Sequence, residues 1–276
     1  MTAGPGSSGS TPRLVTLTTD IGWAYAAQMK GVLHTLCPGI RVVDLTHEIP
    51  PQAVEEAAFL LEHMASRYPA GVVHVAVVDP GVGSERQPLL IETPGGGALL
   101  GPDNGVLWPL SDRLGRVGVY RLDRSKVSPE GPASATFDGR DLFAPAAAHV
   151  ARGVEPRRLG SPTEARTLSL VDETLLPDGG AEGRVLHVDV FGNVITSLGP
   201  RGLPKGLKAR LERPGTPQSP ALPLRVVRTY AELSLGEFGL LLSSFDRLEL
   251  SLRNGHAARA LGLKAGDRVR VVPGDR

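Results

Sequence analysis

The sequence predicts an α/β protein with an N-terminal, mostly parallel sheet sandwiched by helices, followed by a smaller C-terminal antiparallel β-barrel or sandwich. Over the first 150 residues, buried-strand patterns alternate with helical patterns, which is typical of parallel strands joined by helices. From residue 184 onward, short alternating strands are separated by turns, which is typical of a small antiparallel domain. A chain of 276 residues has room for both parts.

Shifts in composition predict the domain organisation. Residues 1–12 are rich in Gly, Ser and Thr and are expected to form a flexible tail. Residues 13–165 are expected to form the N-terminal α/β domain, and residues 184–276 the C-terminal β domain. Residues 166–183 lack a clear apolar period and are expected to act as a linker between the two.

The N-terminal domain is expected to begin with strand, helix, strand, helix, strand, an order that predicts a parallel sheet with right-handed crossovers. The second helix has a clear helical period, because four apolar residues recur on one face: Val54, Ala57, Ala58 and Leu61. The other four elements are expected at residues 13–18, 25–36, 41–45 and 72–78.

The strand at 72–78 is mostly apolar and β-branched, as expected for a strand buried on both faces. It ends at Asp79-Pro80-Gly81-Val82-Gly83, where proline fixes φ and the glycines permit positive φ. Arg86 follows seven residues after Asp79. A carboxylate at this end of a buried strand favours a ligand site. The same residues also fit an Asp-Pro turn with an incidental surface arginine.

The remaining elements are shorter. Residues 89–93 and 98–100 flank Pro94-Gly95-Gly96-Gly97 and predict a hairpin, because a dinucleotide-binding glycine motif would follow a strand and open a helix. A helix at 106–114, a strand at 117–122 and a helix at 144–150 complete the N-terminal domain. The C-terminal elements are expected at 184–190, 193–198, 208–211, 224–229, 238–243, 247–252, a helix at 256–261 and a last strand at 268–272.

Composition excludes several classes of function. A net charge of +1 gives no electrostatic reason to expect nucleic-acid or membrane binding, and no apolar run reaches the roughly 20 residues of a membrane span. The single cysteine, Cys37, excludes a disulfide framework and is expected to be a buried thiol. The histidines lack metal-ligand spacing, so we expect no metal. The N-terminus shows no signal peptide, so we expect a cytoplasmic protein.

Polar residues follow four of the predicted strands. Singly, each of these residues is more typical of a turn than of a site. Because the carboxyl ends of parallel strands meet at one edge of a sheet, the four together favour a shared cleft. They are Asp20, Thr46-His47-Glu48, Asp79 with Arg86, and Asp103-Asn104.

Seven motifs stand in order along the chain: Thr18-Thr19-Asp20-Ile21-Gly22, Gln28-Met29-Lys30-Gly31-Val32, Asp44-Leu45-Thr46-His47-Glu48-Ile49-Pro50-Pro51, Val77-Val78-Asp79-Pro80-Gly81-Val82-Gly83, Gly101-Pro102-Asp103-Asn104-Gly105, Thr136-Phe137-Asp138-Gly139-Arg140-Asp141 and Phe191-Gly192-Asn193. Together they resemble the S-adenosyl-L-methionine (SAM) hydrolases, also called SAM hydroxide adenosyltransferases, which are related to the fluorinase and chlorinase. The resemblance implies an N-terminal α/β domain, a C-terminal β-barrel and a homotrimer. It also implies that the ligand lies between the N-terminal domain of one subunit and the C-terminal domain of the next.

The resemblance also implies roles for individual residues. Asp20 is expected to accept both ribose hydroxyls, and Asp79 and Arg86 match two members of a water-positioning Asp-Arg-His triad. Around the methionine and adenine moieties, it implies contacts from Asp189, Phe191, Asn193, Ser244, Arg253 and Asn254. The further substrate-binding residues that it implies are Asp103, Asn104, Thr136 and Phe137.

One position departs from the family. Where these hydrolases usually have Thr-Phe-His-Gly-Arg-Asp, this chain has Asp138 in place of the histidine. Two neighbouring carboxylates, Asp79 and Asp138, disfavour ionisation of both unless Arg86 compensates. We therefore expect Asp138 to serve as a general base. The alternative is that Asp138 impairs turnover and leaves a SAM- or adenosine-binding protein.

The implied reaction is attack of water or hydroxide on C5′ of the ribose, which displaces methionine from the sulfonium and requires no metal or redox cofactor. A dry cleft favours this reaction, because an anionic nucleophile and a cation neutralise each other in the transition state. A SAM-dependent halogenase is the other enzyme alternative. Halogenating relatives carry an aromatic hydroxyl at the position of Asp79, and an anionic Asp79 would repel halide.

Overall fold

The computed structural model describes residues 14–128, 134–204, 208–212 and 221–274. The predicted flexible tail, residues 1–12, lies outside them. The contacts divide the chain between Leu168 and Ser169 into two compact units. The segment 166–183, expected to be a linker, contains a short strand and the start of a long one. None of the helices in the described ranges is long and apolar enough to cross a membrane.

The first unit contains a seven-stranded sheet and six helices within the described residues. The strands are β1 (Leu14–Thr19), β2 (Arg41–Thr46), β3 (Val73–Val77), β4 (Pro88–Thr93), β5 (Gly97–Pro102), β6 (Gly118–Leu122) and β7 (Gly160–Pro162). The helices are α1 (Gly22–Leu36), α2 (Val54–Ala65), α3 (Trp108–Leu114), α4 (Arg124–Val127), α5 (Ala144–Ala151) and α6 (Pro156–Leu159). A π-helical turn, Gly139–Phe143, leads into α5.

The sheet order is β2-β1-β3-β5-β4-β6-β7. The strands β2, β1, β3 and β5 are parallel, whereas β4, β6 and β7 pair antiparallel. The predicted hairpin is the β4–β5 pair, which turns through Pro94–Gly96. The prediction of a mostly parallel sheet is therefore confirmed for the part of the unit that holds the strand ends with polar residues.

Successive side chains of β1 and β3 point to opposite faces of the sheet. Val15, Leu17 and Val75 are fully buried and join a core with residues of α1 and α5. Cys37 belongs to the same core, so the prediction of a buried thiol is confirmed. Helix α2 contacts β1, β2 and β3 and also packs against α3. The core thus holds β1 and β3 rigidly and fixes where their carboxyl ends lie.

The second unit is a barrel-like sheet. Its strands are β8 (Thr174–Leu175), β9 (Ala181–Val188), β10 (Val194–Thr196), β11 (Lys208–Glu212), β12 (Leu222–Val226), β13 (Phe238–Leu242), β14 (Leu248–Leu252) and β15 (Arg268–Pro273), with helix α7 at Ala257–Leu261. The order β10-β14-β13-β12-β11-β15-β9 closes because β9 also pairs with β10, and β8 extends β9. The predicted barrel is confirmed, although β12 and β13 pair in parallel.

Three short elements of the first unit were not predicted. Helix α6 and strand β7 follow α5, and β7 extends the sheet beside β6. Helix α4 follows β6, and Asp123 caps it by accepting from the backbone N–H of Ser125 at 3.0 Å.

A buried histidine on β3 contacts the neighbouring strand β1. His74 on β3 is 3% exposed, and its Nδ1 lies 2.7 Å from the hydroxyl of Thr16 on β1. Burial lowers the pKa of His74 from 6.5 to about 4. The side chain is therefore neutral in the folded protein over most of the pH range in which a free histidine would ionise.

We expect this histidine to make the fold sensitive to acid. Between pH 6.5 and about 4, the unfolded chain binds a proton at His74 that the folded chain does not. The free energy of unfolding should therefore fall with falling pH, by up to about 1.4 kcal/mol per pH unit and about 3 kcal/mol in total. Urea unfolding of wild type and His74→Gln at pH 7 and pH 4.5 measures this contribution. The exposed His34→Gln serves as the control. Equal pH dependence in wild type and His74→Gln would contradict the prediction.

Candidate active site

Asp79, Arg86 and Asp138 are in direct contact. Arg86 Nε donates to Asp79 Oδ1 at 3.1 Å, and Arg86 Nη2 donates to Asp79 Oδ2 at 2.5 Å. The same Nη2 also donates to Asp138 Oδ2. The side chains of Asp79 and Asp138 are only 6% and 4% exposed. One guanidinium therefore bridges two buried carboxylates.

Arg124 adds a second cation that the sequence analysis did not identify. Its Nη2 donates to Asp138 Oδ1, so the two oxygens of Asp138 face two different guanidinium groups. The four side chains alternate in charge from Asp79 through Arg86 and Asp138 to Arg124. Burial lowers the pKa of Arg86, but hydrogen bonds to Asp79 and Asp138 outweigh burial and raise its pKa overall. We call these four residues the charge cluster.

Local structure explains how the chain assembles the charge cluster. Asp79 lies two residues after the end of β3, and the loop after it turns at Gly83, which has φ +79°. A Cβ at Gly83 would lie 2.9 Å from the carbonyl oxygen of Ala135, so glycine allows the two loops to approach. Asp138 immediately precedes the π-helical turn, and the Phe143 ring at its end lies 5.7 Å from Arg86 Cζ. The two carboxylates thus come from segments 59 residues apart in sequence.

Asp20 and Asn104 lie next to the same strand end. The backbone N–H of Asp20 donates to the carbonyl of Val77 at 3.4 Å, and Asp20 Oδ2 accepts from the N–H of Gln52 at 2.8 Å. Asn104 Nδ2 donates to the carbonyl of Val78 at 2.8 Å. The ends of β1, β3 and β5 therefore meet, as predicted for a parallel sheet.

Other predicted residues of this unit have mainly structural contacts. Asp103 Oδ1 accepts from the backbone N–H of Arg166 at 2.7 Å. Thr136 is exposed and its hydroxyl lies 3.1 Å from that of Ser134. The ring of Phe137 meets Tyr25 edge-on at 5.3 Å. No direct contact joins these residues to the charge cluster, apart from the chain connection between Phe137 and Asp138.

His47, in the polar cluster after β2, supports the end of β1. It is 2% exposed; its Nδ1 lies 2.8 Å from the hydroxyl of Thr19 and its Nε2 lies 2.9 Å from Asp44 Oδ1. Burial raises the pKa of Asp44, but hydrogen bonds to Lys30 and His47 lower it below its usual value. This group fixes the residue that precedes Asp20.

The second unit contains a cavity of about 640 Å³. Of the predicted residues, its lining includes Asp189, Phe191, Asn193, Arg253 and Asn254. Asp189 Oδ1 accepts from the backbone N–H groups of Phe191 (2.9 Å) and Asn193 (2.8 Å), and Oδ2 accepts from Asn193 Nδ2 at 3.0 Å. This carboxylate therefore holds a turn from which Phe191 projects, 74% exposed.

Arg253 and Ser244, two further predicted residues of this unit, have different surroundings. Arg253 Nη1 donates to the carbonyls of Ala231 and Leu233, both at 2.6 Å, and so orders a backbone loop. Ser244 is exposed in the turn between β13 and β14 and does not line the cavity. The serine that lines the cavity is Ser251, which is 2% exposed.

The sequence analysis also missed a Tyr–Glu pair at this cavity. Tyr230 Oη donates to Glu249 Oε1 at 2.7 Å, and Glu249 is 3% exposed. Burial raises the pKa of both groups; for Tyr230, the hydrogen bond to Glu249 raises it further. The sequence could have shown that Glu249 and Ser251 share one face of β14. They alternate with Leu248, Leu250 and Leu252 and must lie on the face opposite the leucines.

The comparisons with known proteins agree with this architecture. The family model for the SAM hydroxide adenosyltransferase N-terminal domain matches residues 15–160, and that for the C-terminal domain matches residues 183–270. A protein of Salinispora tropica named (R)-S-adenosyl-L-methionine hydrolase is 38% identical over 94% of this chain and 98% of its own length. A protein of Nocardia brasiliensis named fluorinase is 27% identical over 95% of this chain and 97% of its own length.

A crystal structure of an uncharacterized conserved protein from Thermotoga maritima is similar in fold, with a TM-score of 0.83, 27% identity, and coverage of 94% of this chain and 99% of that one. The α/β unit and the barrel thus correspond to the two domains of a single family. The chain belongs to the SAM hydroxide adenosyltransferase family.

We expect Arg86 to be required for stability, because it is in contact with both buried carboxylates. Arg86→Met leaves Asp79 and Asp138 side by side with less positive charge, which should cost about 3–5 kcal/mol at pH 8. Urea unfolding of wild type and Arg86→Met measures the loss. Arg113→Met, at a 48% exposed arginine, should change stability by less than about 0.5 kcal/mol. A loss for Arg86→Met no larger than that for Arg113→Met would contradict the prediction.

Proposed function

We propose that this protein hydrolyses SAM to adenosine and L-methionine by in-line attack of water or hydroxide on C5′ of the ribose. The observation that supports it best is the buried contact of Asp79 with Arg86 at the carboxyl end of β3. Membership of the family, and a relative named as a SAM hydrolase over nearly the whole chain, support the same reaction.

Asp79 is the residue that we propose to orient the nucleophile. Arg86 binds one lone pair on each oxygen of Asp79, which fixes the plane of the carboxylate and leaves further lone pairs to accept from a water molecule. A water held in this way can be aligned with C5′ and the departing sulfur, and such alignment accounts for much of the rate enhancement in a displacement. The sulfonium cation is neutralised as methionine leaves, so a poorly hydrated site favours the transition state.

The geometry favours a different role for Asp138 from the general base expected from the sequence. Its oxygens accept from Arg86 and Arg124 respectively, so both are already engaged with cations. With both oxygens engaged by guanidinium donors, Asp138 is placed to hold Arg86 firmly against Asp79. We therefore propose that Asp138 positions Arg86 and that Asp79 contacts the nucleophile.

The remaining substrate contacts are proposed from the family pattern and the positions of the residues. Asp20, at the end of β1, would accept the ribose hydroxyls. In the barrel, Asp189, Phe191 and Asn193 would surround the methionine and adenine moieties, with Asn254 at the edge of the same cavity. SAM is the substrate in this scheme, and the described residues supply each of these proposed contacts without a further cofactor.

Purified protein should release adenosine from SAM, and Asp79→Asn should lower kcat by roughly 10² to 10⁴-fold, because the amide presents one acceptor fewer and no charge to the nucleophile. Chromatography of the products with time measures both. The exposed Asp112→Asn, at a residue 68% exposed on α3, is the control and should match wild type.

Asp138→His, which restores the usual family residue, separates the alternatives. An active wild type supports the hydrolase whatever the variant does. No adenosine from wild type, with recovery in Asp138→His, would overturn it in favour of an impaired, SAM-binding protein. Formation of 5′-chloro-5′-deoxyadenosine from SAM and chloride, in place of adenosine, would identify a halogenase.

We further propose that the protein is a homotrimer with its site completed between subunits. Large apolar side chains support self-association, because they are exposed in the single chain: Trp23 (56%), Tyr25 (53%), Val190 (90%) and Phe191 (74%). The proposed site residues are also divided between an α/β unit and a barrel unit.

Light scattering should therefore give three times the 29.1 kDa of one chain. Val190→Asp should lower the trimer fraction and adenosine release together, because a buried unpaired carboxylate opposes association. Asp112→Asn, at a polar residue 68% exposed on α3, should change neither. A fully active monomer would exclude the shared site.

A further inference from the structure

Arg124 belongs to the charge cluster, but the proposed reaction assigns it no role. It is the first residue of the four-residue helix α4, and its side chain is 44% exposed. Its guanidinium reaches inward to Asp138, whose side chain is 4% exposed. A surface arginine that ends on a buried carboxylate differs from an ordinary surface ion pair, in which both partners remain hydrated.

The charges explain why Asp138 needs this partner. Asp79 and Asp138 carry two negative charges, and Arg86 supplies only one positive charge between them. A buried carboxylate that lacks compensation is strongly destabilising. Without Arg124, Asp138 would compete with Asp79 for the single guanidinium of Arg86. With Arg124 present, the four charges balance and Arg86 can keep both of its hydrogen bonds to Asp79.

A polar cavity of about 390 Å³ lies beside the charge cluster. Arg86, Arg124 and Asp138 line it together with Ser84 and Ser134. At this opening the side chain of Arg124 is 44% exposed and that of Arg86 is 12% exposed, whereas that of Asp138 is only 4% exposed, so Arg124 lies on the solvent side of the Asp138 carboxylate. Arg124 thus covers Asp138 on the side where water would otherwise solvate it.

We propose that Arg124 is a positioning residue for hydrolysis, acting through Asp138 to hold Arg86 on the carboxylate that orients the nucleophile. This inference rests on the proposed SAM hydrolase function. It assigns Arg124 no contact with substrate, so its loss should affect turnover more than substrate binding.

The test compares steady-state kinetics of wild type, Arg124→Ala and Arg124→Lys. Arg124→Ala should lower kcat by roughly 10 to 10²-fold and change KM by less than about threefold, because the affected interaction matters for the reacting geometry. Arg124→Lys keeps the charge and should recover most of the activity. Lys126→Ala removes a cation from the same helix, 3.9 Å from Asp123, and should match wild type. Wild-type kcat in Arg124→Ala, or no recovery with lysine, would overturn the proposal.

A double-variant cycle separates this inference from the proposed function. In the Asp138→His background no second carboxylate remains, so removing Arg124 should shift the urea unfolding midpoint much less than it does in wild type. Equal shifts in the two backgrounds would overturn the pairing. This measurement needs no turnover. An inactive wild type would therefore overturn the hydrolase, while the cycle still decides whether Arg124 compensates Asp138.

Discussion

The contact of Arg86 with two buried carboxylates is the constraint on which the rest of the first unit depends. Like charges so close together are tolerated only when a cation lies between them with good geometry. The parallel sheet delivers Asp79 to the end of β3, and the π-helical turn before α5 delivers Asp138. Both elements are anchored in one apolar core. The cleft is thus held by electrostatics at its centre and by packing around it.

Much of the fold was predictable, because long elements carry a period. Helix α2 and strands β1 and β3 each show enough apolar positions to define a face, and the alternation of strands with helices predicts a parallel sheet. The short elements α4, β7 and β8 span too few residues for a period to appear, and tertiary contacts form them. The parallel pairing of β12 with β13 is also invisible in either strand alone, since a strand's own pattern does not contain its partner's direction.

Only part of the candidate site was predictable from the sequence. The strand pattern left both a ligand site and an incidental turn open for Asp79 and Arg86, and the family resemblance implied that they act together; the two side chains are in contact. Arg124 was missed because it stands 14 residues before its partner, in a segment without a pattern. Ser244 was expected from the family resemblance and lies outside the cavity lining, whereas the two-residue period of β14 places Ser251 on the face that lines it.

The unequal exposure of Arg124 and Asp138 has a consequence for how such a cluster can arise. An unpaired arginine at a half-exposed position keeps its hydration and costs little, whereas an unpaired aspartate in the interior costs a great deal. The order in which arginine at position 124 and aspartate at position 138 arise therefore matters. Because Asp138 without Arg124 would have to share Arg86 with Asp79, the less costly order of single substitutions is arginine at position 124 first and aspartate at position 138 second.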